Sequence, residues 1–207
     1  MGIYLVRHPK PRRSEGLCYG RTELPVDPEV LADAVASLRS RIPADVLRHA
    51  TIFTSPASRC LGLARALASP REPAIVGALR EMDFGAWEGR PWDSLARAEL
   101  DAWASDVWAY RAGGGESAAM VAARWRRWAA SVAVQIAGRG TPVIAVTHAG
   151  LIRVALAGVG RLGPDLAAAV PFASVHRLDV HIINRFDLGA AGDFSAADID
   201  ASQACAP

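Results

Sequence analysis

Short apolar runs alternating with long amphipathic stretches constrain this chain more than any other feature. Residues 3–6, 51–54, 74–76 and 142–146 are apolar, brief and bounded by polar or turn residues, as strands buried on both faces are. Within 29–42, Val30, Leu31, Ala34, Val35 and Leu38 recur at helical spacing. Residues 92–109 and 116–137, rich in Ala, Trp and Arg, read as long helices divided by Gly113, Gly114 and Gly115. Ser55-Pro56 signals a helix start, with Ser as N-cap and Pro as first helical residue, for a helix reaching Ala68. Residues 151–157 read as a helix after the turn Thr147-His148-Ala149-Gly150, and 174–183 as a late strand. This alternation predicts an α/β fold, a three-layer α/β/α sandwich with a mostly parallel central sheet. The 207 residues suffice for one core, so 1–207 reads as a single domain, with a small-residue tail at 188–207 loosely held.

Composition removes several functions. There are 23 basic and 21 acidic residues, a net charge of +2, which argues against a nucleic-acid or membrane-surface binder. Lys10 is the one lysine, which excludes a P-loop lysine and an internal Schiff base. Cys18, Cys60 and Cys205 are scattered and odd in number, indicating neither a disulfide framework nor a thiolate zinc site. The first residues lack a basic region before their apolar stretch, and no apolar run approaches the roughly 20 residues of a membrane helix. A cytoplasmic protein is expected. His176 and His181, five apart on a strand, face opposite sides and do not share an ion. His49 reads as a surface loop residue. The GxGxxG match at 158–163 follows a helix rather than a strand, so the dinucleotide context is absent. The Trp residues read as helix packing, with Trp87 a candidate for lining a pocket.

Ligands of doubly wound sheets sit beyond the carboxyl ends of the strands. Arg7-His8 ends the first strand, Ser55 to Arg59 follows the second, and His148 follows the strand at 142–146. Arg7 and Arg59 are planar forks that suit a phosphate dianion. Arg59, in the first turn of its helix, adds exposed N–H groups and the positive dipole end. With a phosphoryl group clamped, a neutral imidazole can attack phosphorus in line. His8 follows a buried strand directly, so its aim is fixed. A carboxylic acid must then protonate the leaving alkoxide. Glu81 is the candidate, among the apolar and aromatic Met82, Phe84 and Trp87; Asp83 competes. His148 and the arginines would stabilise the transferring oxygens.

These residues carry a family resemblance. Leu5-Val6-Arg7-His8 resembles the N-terminal signature of the histidine phosphatase superfamily, which has the phosphoglycerate-mutase-like fold. Thr54-Ser55-Pro56 with Arg59, the acid segment from Leu79 to Gly89, Gly114-Gly115-Glu116-Ser117 and Val146-Thr147-His148-Ala149-Gly150 follow in the family's order. The resemblance implies a metal-independent phosphomonoesterase without organic cofactor, its partner a small phosphate ester. His8 would be the nucleophile, Glu81 the proton donor, and Arg7, Arg59 and His148 the phosphoryl-binding groups. Within the superfamily, the loop from Leu17 to Val26 is similar to that of α-ribazole phosphatases of cobalamin biosynthesis. That similarity makes Arg21 and Thr22 candidates for phosphate or ribose contact. Glu116 and Ser117 are further candidates for substrate contact; equally, Glu116 suits the helix dipole and Ser117 a cap. Two positions depart from the family. Pro9 stands where a small residue is usual, which removes one backbone N–H. The Asn of mutase-type members has no counterpart after Pro11. The alternatives are a phosphoglycerate mutase, a broad-specificity sugar or nucleotide phosphatase, and, from another class, a phospholigand-binding module without turnover.

Overall fold

The structure is a computed structural model, which describes residues 2–158, 166 and 169–179. Its sheet contains β1 (Gly2–Arg7), β2 (Thr51–Thr54), β3 (Ala74–Ile75), β4 (Val143–Thr147) and β5 (Val175–Asp179), in the order β3-β2-β4-β1-β5. All neighbours are parallel except β5, which runs antiparallel to β1. Every residue of β4 is buried, as its continuous apolar run requires of a strand covered on both faces.

The period of two in a strand splits these residues between two cores. Ile3, Leu5, Val143 and Ala145 pack with α4 (Arg97–Ser105), α5 (Ala118–Arg139) and α6 (Ala149–Gly158). Val6, Ile52, Ile144 and Val146 pack with α1 (Pro28–Arg41), α2 (Ala44–His49) and α3 (Ser58–Ala68). Helices therefore cover both faces of the sheet, giving the three layers expected.

Several local expectations need correction. The helix expected from Ser55-Pro56 begins at Ser58. The Ser55 hydroxyl meets the Ala57 N–H at 3.3 Å but also bonds His148. The cap comes instead from a distant loop, where the Glu23 carboxylate accepts from Ser58 N–H at 2.9 Å and from its hydroxyl. The long helix expected at 92–109 is a 3-10 turn at Trp92–Ser94 followed by the shorter α4. Stacking of Trp92 on Trp103, with ring centroids 5.8 Å apart, folds these segments onto each other. The Asp106 carboxylate then takes the Ala109 N–H at 2.9 Å, a local bond that competes with helix continuation. The six-residue α2 was not expected, being too short to show a period, and exposed His49 ends it rather than lying in a loop. Of the late strand, 175–179 is described; His181, Cys205, most of the GxGxxG stretch and the 188–207 tail lie outside the described residues. Among the described residues, no helix is long and apolar enough to cross a membrane.

Candidate active site

The two histidines are brought together by strand pairing. β1 and β4 run parallel with Arg7 opposite Thr147, and the His8 N–H donates to the Thr147 carbonyl at 3.0 Å. The next residue of each strand thus leaves the same sheet edge. The imidazoles of His8 and His148 meet edge to face, with centroids 5.1 Å apart. Both rings are almost wholly buried. Burial pushes both well below the ordinary histidine range, and the Arg59 charge beside each pushes further, so both imidazoles are neutral. His8 Nδ1 lies 2.7 Å from the Pro9 carbonyl. A carbonyl can only accept, so Nδ1 carries the proton and Nε2 keeps its lone pair. Pro9 removes an N–H but leaves the carbonyl that orients the ring. His148 is fixed in turn through Nε2, 2.8 Å from the Ser55 hydroxyl, and its ring rests against the buried Cys60 thiol.

The arginines are buried and braced. Arg7 donates Nη1 to the Val170 carbonyl, and its guanidinium lies 3.7 Å from the centre of the Phe172 ring, a cation–π contact. Arg59 sits in the first turn of α3, donating to the Gly20 carbonyl at 2.6 Å and the Thr22 carbonyl at 2.8 Å. Each keeps a buried Nε without an acceptor among the described residues, and an unmet buried donor favours an anionic ligand nearby.

Of the two carboxylates weighed from sequence, Glu81 faces the site. Its oxygens accept the N–H groups of Met82 and Gly150, each at 3.0 Å, the latter in the first turn of α6. Asp83 is turned into its own loop, accepting the Gly85 N–H at 2.8 Å. One cavity joins Arg7, His8 and Glu81 to Tyr19 and Arg153 and to a wall of Leu17, Met82, Phe84, Trp103, Val107, Ala118, Val121, Val154 and Leu166. Its volume is about 90 Å³. Trp103 lines it and Trp87 does not; Trp87 packs on Trp92 and Trp103.

The secondary candidates have partners within the protein. Arg21 pairs with Glu116 at 3.3 Å, and the Thr22 hydroxyl donates to Glu88. Glu116 accepts from Arg124 and from the Asp83 N–H, and Ser117 caps α5 by accepting the Met120 N–H at 3.4 Å. None of the four lines the cavity. Sequence reasoning missed Arg153, Phe172, Glu88 and the bond from Ser55 to His148. The Glu88 carboxylate accepts the N–H groups of Gly20, Arg21, Thr22 and Phe84. Burial alone would raise it, but these bonds and the Thr22 hydroxyl outweigh that and hold it below the usual carboxylate range. The loop at 20–22 is thus held by its N–H groups from Glu88 and by its carbonyls from Arg59. Signals for these residues were weak. Arg153, one turn beyond Ala149 in an apolar helix, was the readable one.

The family profile of the histidine phosphatase superfamily (branch 1) matches residues 3–185. The chain belongs to the histidine phosphatase superfamily. No curated protein matches it. It is similar to a phosphoglycerate mutase from Thermus thermophilus, with 28% identity and a TM-score of 0.65 over 86% of this chain and 93% of that one. It also shares its fold with the mycobacterial glucosyl-3-phosphoglycerate phosphatase Rv2419c in complex with VO3, at 23% identity and a TM-score of 0.69, covering 86% of this chain and 92% of that one. This phosphoglycerate-mutase-like architecture is the fold expected from the resemblance.

Proposed function

We propose that this histidine phosphatase superfamily member is a phosphomonoesterase working through a phosphohistidine at His8. The observation that carries the reading is the state of His8: buried, neutral and oriented by the Pro9 carbonyl so that Nε2 keeps its lone pair, with its ring 5.1 Å from that of His148 and exposed to the charges of Arg59 and Arg7. In the first step Nε2 attacks phosphorus, forming an N–P bond as the ester P–O bond breaks. Arg7, Arg59 and His148 hold the phosphoryl oxygens, and Glu81 gives its proton to the departing alkoxide. In the second step Glu81, now a carboxylate, takes a proton from water. The water oxygen attacks phosphorus, and the N–P bond breaks to release phosphate and regenerate His8. No metal or organic cofactor takes part.

The apolar wall running from Leu17 to Trp103 supports an ester whose alcohol is apolar or aromatic near the reacting phosphate. α-Ribazole 5′-phosphate, carrying an aromatic base, is the candidate substrate, which would place the enzyme in cobalamin biosynthesis. The test is kcat/KM, with chelator present, for α-ribazole 5′-phosphate against sugar, nucleotide and glycerate phosphates. The expected result is a preference for α-ribazole 5′-phosphate that vanishes in His8→Ala, together with a one-phosphoryl gain in intact mass that also vanishes. Flat activity across the panel would discard that substrate and keep the mechanism. Interconversion of phosphoglycerates would make the protein a mutase, and ester binding without turnover a binding module.

A further inference from the structure

Glu81 hangs from irregular chain between the 3-10 turns at Gly77–Leu79 and Gly85–Trp87, so its backbone must be held from outside. The hold comes from α5. Arg124 donates Nη1 to the Ala78 carbonyl at 2.8 Å and Nη2 to the Glu81 carbonyl at 3.0 Å. The same fork grips Glu116, with Nε at 3.0 Å from Oε1 and Nη2 at 3.1 Å from Oε2. Glu116 also accepts the Asp83 N–H at 3.0 Å. One largely buried ion pair, with both side chains about 15% exposed, therefore fixes the chain on each side of Glu81. Neither Arg124 nor Glu116 lines the cavity. Whatever they contribute to turnover must pass through another residue.

We propose that Arg124, oriented by Glu116, is a positioning residue for the proton donor Glu81. By fixing the Glu81 carbonyl it keeps the carboxyl at the cavity, beside the Gly150 N–H. This rests on the assignment of Glu81 as the acid. A salt bridge that merely stabilised the fold would lower turnover of every substrate alike. A bridge acting through the acid costs rate only where the leaving oxygen needs a proton. p-Nitrophenolate leaves without one, whereas an alkoxide does not.

The experiment compares kcat/KM for p-nitrophenyl phosphate and n-butyl phosphate in Arg124→Lys, Arg124→Ala and Glu116→Gln, alone and combined with Glu81→Gln. A displacement of the acid by about 1 Å costs on the order of 10²-fold. A loss of that size is expected on n-butyl phosphate, with less than about a threefold loss on p-nitrophenyl phosphate, where proton donation matters little. Added to Glu81→Gln, the Arg124 variants should cost nothing more on n-butyl phosphate, because both act through one group. Arg124→Lys keeps the charge but cannot span the same acceptors, so it decides the matter if Arg124→Ala does not fold. Equal losses on both esters, or losses that multiply with Glu81→Gln, overturn the positioning role. A wild-type protein without turnover, or a Glu81→Gln variant losing equally on both esters, overturns the acid assignment and the proposal with it. That failure is recognisable because Glu81→Gln itself then lacks the leaving-group dependence.

Discussion

At Gly150 one methyl group separates stability from chemistry. A Cβ built there would stand 2.4 Å from Glu81 Oε1. The obstacle is the end of a flexible side chain, and Ala is favoured over Gly within a helix by roughly 0.5–1 kcal/mol. Gly150→Ala should therefore keep or slightly raise the thermal midpoint while swinging the carboxyl away. Hydrolysis of alkyl phosphates should fall about 10²-fold, which steady-state assays beside a thermal melt will show. His8→Asn removes the nitrogen proposed to attack phosphorus, and the expected outcome is loss of the phosphoryl adduct in intact-mass spectra. Arg7, His8 and His148 were legible because each lies at or just past the end of an apolar strand, where chain position alone dictates location. Glu88 and Arg124 were not. Their value lies in bonds to the loop at 20–22 and to the Glu81 segment, partners remote in sequence that carry no local pattern. The choice between Glu81 and Asp83 turned on one backbone N–H, that of Gly85, which occupies Asp83.

Among the elements, α3 shows how a helix can borrow its start. Its N-cap position, Ala57, offers no side-chain acceptor, and Glu23 supplies one from the loop before α1. Glu23→Ala should lower stability by about 0.5–2 kcal/mol, the usual worth of a cap, measured as a shifted urea midpoint with unchanged slope. Ser55→Ala should leave the helix start in place while freeing the His148 ring, and the check is a rise in the phosphate-ester KM. The parallel strands were legible from their apolar runs, β5 from its alternation, α1 from its period, α5 from its Ala, Trp and Arg content, and α6 from the turn that precedes it. The break between Trp92 and Arg97 was not, because aromatic stacking across a turn overrides the local pattern that predicted one helix. In α3 the Ser-Pro signal placed the start too early: the N-cap is Ala57, and Ser55 is engaged by His148, just past the end of β4.

For the molecule as a whole, two buried neutral histidines shape the response to acid. Both are held well below their ordinary value, so between the folded and unfolded pKa the unfolded chain binds more protons. Stability is fully present above about pH 6.5, the unfolded value. It falls as pH drops below that, by about 1.4 kcal/mol per unit for each histidine. The depressed carboxylates Glu88 and Glu116 act lower: their contribution is present above the unfolded carboxylate range and is lost as pH falls through their folded values. Denaturant midpoints from pH 8 to 4 should show a decline beginning near 6.5, shallower in His8→Asn. The sheet order has a further consequence, for synthesis. Ile3 pairs with Val143 and Leu178, so β1 is made well before either of its neighbours and stays unpartnered while the intervening chain emerges. Such non-local pairing slows folding. Any translation product ending before β4 therefore carries His8 but neither His148 nor the strand at the centre of the sheet. A ribosome-arrested series should turn protease-resistant and active together, once β4, His148 and α6 have all cleared the exit tunnel.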